Sequence, residues 1–138
     1  MPADAVFLDT NGWLALLNAS DQLHRRADTL WRSLGGRSCS IVLTDWVIAE
    51  TGNGLARTPA RELVAAVSGS LLDSSRCRVI FVTPGLTRRA VDLYHERTDK
   101  RWGLVDCASF VVMTDEKIAD AFTTDRHFEQ AGFKAMLL

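Results

Sequence analysis

The sequence predicts an α/β fold: a parallel sheet with helices on both faces. Three observations carry that expectation. Short apolar runs recur along the chain, and each leads into residues with helical spacing. The runs are apolar throughout rather than alternating, as strands covered on both faces are. Hydrophobic residues make up 47% of the 138, enough for a core in a chain whose length suits a single domain over residues 1–138.

Residues 5–8 read as a first strand that turns at Asp9, Thr10 and Asn11 directly into a helix carrying Trp13, Leu14, Leu16 and Leu17. Asp21 suits the cap of a second helix with Leu23, Ala27, Leu30, Trp31 and Leu34 on one face and a left-handed stop at Gly35-Gly36. Residues 40–43 form a second strand. Thr44 and Asp45 open the next helix, through Trp46, Val47, Ile48 and Glu50, which Gly52 and Gly54 weaken and end. Thr58 before Pro59 caps another helix, with Leu63, Val64, Val67 and Leu71 as its apolar stripe. Residues 79–82 give a third strand, closed by Thr83-Pro84 and followed by a helix through Ala90, Leu93 and Tyr94. Residues 105–113 read as a buried helix, 119–123 as a fourth strand and 134–137 as a short last one.

Sixteen Lys and Arg against seventeen Asp and Glu leave a net charge of −1, so any nucleic-acid contact is a local patch rather than a whole basic face. No apolar run reaches the roughly 18 residues that a spanning helix needs, and the amino terminus has no basic region ahead of an apolar one. The expectation is a chain with neither signal peptide nor membrane segment. Cys39, Cys77 and Cys107 are an odd number with no zinc-ligand spacing, which reads as reduced thiols in a cytoplasmic protein.

In open α/β sheets the ligand crevice lies beyond the carboxyl ends of the strands. Asp9 ends the first strand, Asp125 follows the fourth, and Glu50 and Asp106 sit in or at the start of helices leading away from the same edge. Singly, each suits a helix cap, a first turn or a solvated position. Together they form a set whose mutual repulsion a divalent cation relieves. Mg2+ or Mn2+ suits oxygen ligands, and such an ion supplies what phosphodiester hydrolysis needs without a nucleophilic side chain. Thr10, Asn11 and Thr124 are placed to orient the acids.

Lys100, Arg101 and Trp102 precede Asp106 and offer phosphate contacts and a stacking ring for an unpaired base, or equally a solvated basic turn with a core tryptophan. Arg57 and Arg61 read as ordinary surface cations. His127, near Asp125, reads as a packing or turn-capping residue, and Asp120 stays outside the acidic set. Trp13, Trp31 and Trp46 read as core.

Four segments, FLDTN at 7–11, WVIAET at 46–51, LVDCASFVVM at 104–113 and FTTDRHFEQAGF at 122–133, resemble those of the PIN-domain ribonucleases, in particular the VapC-type toxins of type II toxin-antitoxin systems. The resemblance covers essentially the whole chain. It implies a three-layer α/β/α fold with a mainly parallel sheet and Mg2+- or Mn2+-dependent endonuclease activity on RNA. It maps the family's acids onto Asp9, Glu50, Asp106 and Asp125, as catalytic and metal-binding residues, and its neighbouring hydroxyls onto Thr10 and Thr124. It also implies a homodimer and a cognate antitoxin protein as partner. A phosphatase of the haloacid-dehalogenase type would want a second Asp two residues after the first, where Asn11 stands. A non-catalytic PIN scaffold that binds RNA or protein is the other alternative, and it has no need to hold four repelling carboxylates.

Overall fold

The computed structural model describes residues 4–138; the expectation about a signal peptide rests partly on residues 1–3, which lie outside the described residues. Chain order is β1 (Asp4–Leu8), α1 (Thr10–Leu17), α2 (His24–Gly35), β2 (Cys39–Thr44), α3 (Asp45–Leu55), α4 (Arg61–Asp73), β3 (Cys77–Ile80), α5 (Pro84–Glu96), α6 (Leu104–Glu116), β4 (Asp120–Phe122), α7 (Arg126–Gln130) and β5 (Lys134–Ala135). The strands form one sheet in the order β3-β2-β1-β4-β5, and every pairing is parallel. Helices cover both faces, and the expected three-layer α/β/α fold is present.

β1 is the middle strand, and Val6, Phe7 and Leu8 are wholly buried. That explains why its sequence is apolar without alternation. From β1 the chain builds outward through β2 and β3, then crosses back to lay β4 on the other flank of β1. The order reverses between β1 and β4, which opens a crevice at their carboxyl ends. Helix α1 crosses there so closely that a Cβ on Gly12 would stand 2.1 Å from the Phe122 carbonyl oxygen. Only glycine fits at that position.

Several boundaries differ from the sequence reading. α3 does not stop at Gly52 but continues through Gly54 to Leu55, because Val47, Thr51 and Leu55 bury one of its faces. Tertiary burial outweighs a glycine penalty of about 1 kcal/mol per residue. α2 ends without a left-handed glycine, since Gly36 is right-handed with φ −82°. Its last carbonyls, those of Leu34 and Gly35, are met instead by the Arg76 guanidinium, which also donates to the oxygens of Arg37 and Cys39 beyond the helix. Asp21 accepts from the Leu23 N–H in the turn ahead of α2 rather than capping the helix itself. Thr58 likewise accepts from the Ala60 N–H in a turn, and α4 begins only at Arg61. Thr44 and Thr83 do cap their helices, the latter with proline in the first turn.

The five-residue α7 has no counterpart in the sequence reading. Its anchor is Phe128, fully buried, with the Phe7 ring centroid at 6.4 Å and Phe110 edge-on at 4.9 Å. Trp13 is buried, and Trp31 meets Phe122 edge-on at 5.5 Å. The three cysteines are free thiols. Burial pushes the thiols of Cys77 and Cys107 up to about 11, which leaves them protonated and unreactive at neutral pH.

Candidate active site

Two adjacent strands deliver two acids to the crevice. Asp9 leaves β1 in extended conformation and caps α1, accepting from the Asn11 N–H at 3.4 Å. Asp125 follows β4 and caps α7 in the same way, accepting from the His127 N–H at 2.9 Å. The third acid comes from the opposite side. Asp106, in the first turn of α6, reaches back to accept from the Gly103 N–H at 3.1 Å. A helix amino terminus favours its negative charge.

Hydrogen bonds tie the three into one unit. The Thr123 hydroxyl donates to Asp9 Oδ2 at 2.7 Å and accepts from the Asp125 N–H at 3.0 Å. The Asn11 amide donates to Asp125 Oδ2 at 3.2 Å. His127 Nδ1 lies 3.3 Å from Asp106 Oδ2 and 3.4 Å from Asp125 Oδ1. One ligand atom from each of Asp106, Asp125 and His127 falls within 4.8 Å of the others.

The electrostatics are those of negative charge in excess. Asp9 is 2% exposed. Burial pushes its carboxyl up to about 7, the Thr123 hydroxyl pulls it down, and the charges of Asp106 and Asp125 push it further up. Asp106 is also raised, first by burial and then by Asp125, against the Gly103 N–H and His127. No Lys or Arg among the described residues pairs with any of the three acids. Beside Asp9 the Thr10 hydroxyl is buried without a hydrogen-bond partner. Carboxylates that share a pocket without a cation are a donor set that fits a hard divalent ion.

The other residues singled out from sequence stand apart from this unit or enter it differently. Glu50 is exposed on the second turn of α3; no hydrogen bond or ion pair joins it to the other acids among the described residues, and the carboxylates acting on Asp9 are those of Asp106 and Asp125. Thr124 is half-buried with no side-chain hydrogen bond to the acids, and its neighbour Thr123 makes the contacts expected of it. Successive residues leaving a strand point to opposite faces, so one position of offset selects which threonine meets Asp9. Lys100 and Arg101 stand just ahead of α6, Arg101 exposed and Lys100 half-buried. Trp102 does not present a free ring: it is 6% exposed, meets Phe110 edge-on at 5.0 Å, carries the Arg97 guanidinium 5.0 Å above it and donates to Gln130. His127 neither packs in the core nor caps the turn with its ring, which faces two acids instead. Asp120 opens β4 and so lies at the far end of that strand from the crevice.

Fold and site together define a class, a parallel α/β domain with a carboxylate cluster at the carboxyl edge of its sheet. Residues 6–134 match the PIN domain family model. The chain is 32% identical over 128 residues to the 23S rRNA-specific endonuclease VapC20 of Mycobacterium tuberculosis, found in two strains, with 93% of this chain and 95% of the relative covered. It superposes on the crystal structure of Mycobacterium tuberculosis VapC20, described as a sarcin-ricin loop cleaving toxin, with a TM-score of 0.84 at 31% identity, over 94% of this chain and 96% of that one. The chain belongs to the PIN-domain family, as an endoribonuclease of the VapC toxin type.

Proposed function

We propose that the chain, working as one domain over residues 1–138, is a divalent-metal-dependent endoribonuclease that cuts ribosomal RNA in the sarcin-ricin loop. The single observation that carries the metal reading is Asp9, a buried carboxyl flanked by Asp106 and Asp125 without a basic partner. The target follows from likeness over nearly the full length of VapC20. Asp9, Asp106 and Asp125 hold the ion, and Glu50, the fourth acid of the set by resemblance, stands exposed on α3 without contact to them among the described residues. When bound, Mg2+ or Mn2+ polarises the scissile phosphate and acidifies water. Thr123 and Asn11 fix the orientation of the acids, and Thr10 lies beside them with an uncommitted hydroxyl. Lys100 and Arg101 supply contacts to the RNA backbone.

The chain acts in the cytoplasm, where ribosomal RNA is reached, as a homodimer restrained by a cognate antitoxin. No helix among the described residues is long and apolar enough to cross a membrane. The test uses purified chain and a synthetic sarcin-ricin loop RNA, with Mg2+, Mn2+ or EDTA. One cut is expected with either ion, and none with EDTA or with Asp9→Asn. Cleavage of other RNAs but not of this loop would remove the target and keep the nuclease; cleavage undiminished by EDTA would remove the metal.

A further inference from the structure

We propose that His127 is itself a ligand of the cation, through Nδ1, so that the centre is a mixed nitrogen and oxygen site that selects a first-row transition ion such as Mn2+ over Mg2+. The inference rests on the metal-site reading above and deepens it.

Neighbouring ligands around an octahedral ion, with bonds slightly over 2 Å, stand about 3 Å apart. His127 Nδ1 is 3.3 Å from Asp106 Oδ2 and 3.4 Å from Asp125 Oδ1. Each is a spacing that neighbouring corners of one coordination sphere require, with only small adjustment, and all three ligand atoms lie within 4.8 Å of one another. The ring is also held in place. Its own backbone N–H is bonded to Asp125 Oδ1, and the next residue, Phe128, is fully buried between Phe7 and Phe110. α7 is too short to be stable alone, so this aromatic anchor gives both Asp125 and His127 their direction. The His127 side chain keeps 29% of its surface exposed, which leaves room for an ion and its waters beside the ring.

The chemistry then decides which ion. A neutral imidazole nitrogen is a good donor to transition ions and a poor one to Mg2+, which prefers oxygen and holds its waters. The three acids alone would accept either ion. Adding one nitrogen tilts the balance toward Mn2+ and later metals. The opposing arrangement is an ion pair, with protonated His127 donating to the carboxylates and never bonding to metal.

Electron spin-echo envelope modulation of the Mn2+-loaded chain separates the two, because a directly bonded imidazole nitrogen modulates the manganese echo. The wild type is expected to show that coupling, and it should shift on nitrogen-isotope labelling of histidine. His127→Gln, which keeps all the acids, should lose it. In calorimetry the same variant should lose about tenfold or more of the preference for Mn2+ over Mg2+. The chain has three histidines, so His24→Gln/His95→Gln leaves only His127 and must retain the coupling even if His127→Gln does not fold. Stoichiometric Mn2+ binding without nitrogen coupling would overturn this inference and leave the metal site standing. No Mn2+ binding by the wild type would overturn both.

Discussion

Four strands of the sheet hand over to a helix, and the four junctions use two chemistries. After β2 and β3 the cap is a threonine: Thr44 accepts from the Val47 N–H at 3.2 Å and Thr83 from the Leu86 N–H at 3.1 Å. After β1 and β4 the cap is an aspartate, Asp9 or Asp125. As caps the two types are nearly equivalent, each worth about 1 kcal/mol. The hydroxyls add no charge to a buried corner, whereas Asp9 carries a carboxylate into a site where its own ionisation is disfavoured. Folding needs the cap and has no use for the charge. At the Asp9 junction the chain gives up stability to hold a charge that folding does not need.

The strongest test of that contrast removes charge and keeps shape. Asp125→Asn, which leaves a good cap on α7, should slow RNA cleavage by roughly a hundredfold to a thousandfold, the several kcal/mol that metal-ion stabilisation of the transition state represents. An unchanged rate would dissolve the distinction between the junctions.

Next comes the cost of Asp9 itself. Its carboxyl titrates near 3.8 when unfolded and at about 7 when folded. Below about pH 4 both states hold the proton, and the full stability is present. Between these values the unfolded chain has released its proton while the folded chain keeps it, so stability falls as pH rises and levels off above 7. At about 1.4 kcal/mol per unit the loss is on the order of 4 kcal/mol. Urea unfolding of the metal-free protein should therefore show Asp9→Asn more stable than wild type at pH 8 and equal to it near pH 4. A wild-type curve without that slope would mean that Asp9 is not strained.

A smaller effect is expected at Thr123, which serves both aspartates. Thr123→Val should destabilise by about 1–2 kcal/mol. By removing a hydroxyl that holds Asp9 down, it should also move the pH at which Mn2+ binding reaches half its plateau upward. Binding with an unshifted pH profile would show the hydroxyl to be merely structural. Smallest of all, Thr44→Ala should cost about 1 kcal/mol at either pH with cleavage unchanged, and a loss of cleavage beyond that would erase the difference between neutral and charged caps.

The inner strands are legible in the sequence because they are buried on both faces, and an unbroken apolar run such as residues 5–8 suits little else than a covered strand; the edge strand β3, expected at 79–82, runs instead over Cys77–Ile80 with no residue fully buried. Asp9, Asp106 and Asp125 are legible because carboxyl ends of strands and helix starts are where a sheet of this kind gathers ligands. What local pattern misjudges are features set by distant partners. Gly52 and Gly54 read as helix breakers, yet α3 runs through both, with Leu14 Cδ2 3.5 Å from where a Cβ on Gly54 would stand. The stop of α2 reads as a matter for Gly35-Gly36 and is managed by Arg76, from the turn ahead of β3. His127 reads as structural because nothing nearby in sequence shows that α6 will bring Asp106 within 3.3 Å of its ring. Glu50 reads as one of the same set, by its place near the sheet edge and by resemblance, but the fold leaves it exposed on α3 without contact to the other acids among the described residues.

The pairing of β1 with β4 has a consequence for biosynthesis. Asp9 and Thr123 are 114 residues apart in the chain, and so are Asn11 and Asp125. A growing polypeptide makes the acid at the end of β1 well before the strand that completes the crevice, which comes only when the stretch from Asp120 to His127 is translated. Over that whole interval of synthesis the chain is a nuclease without a site, and the ribosome making it carries no assembled toxin.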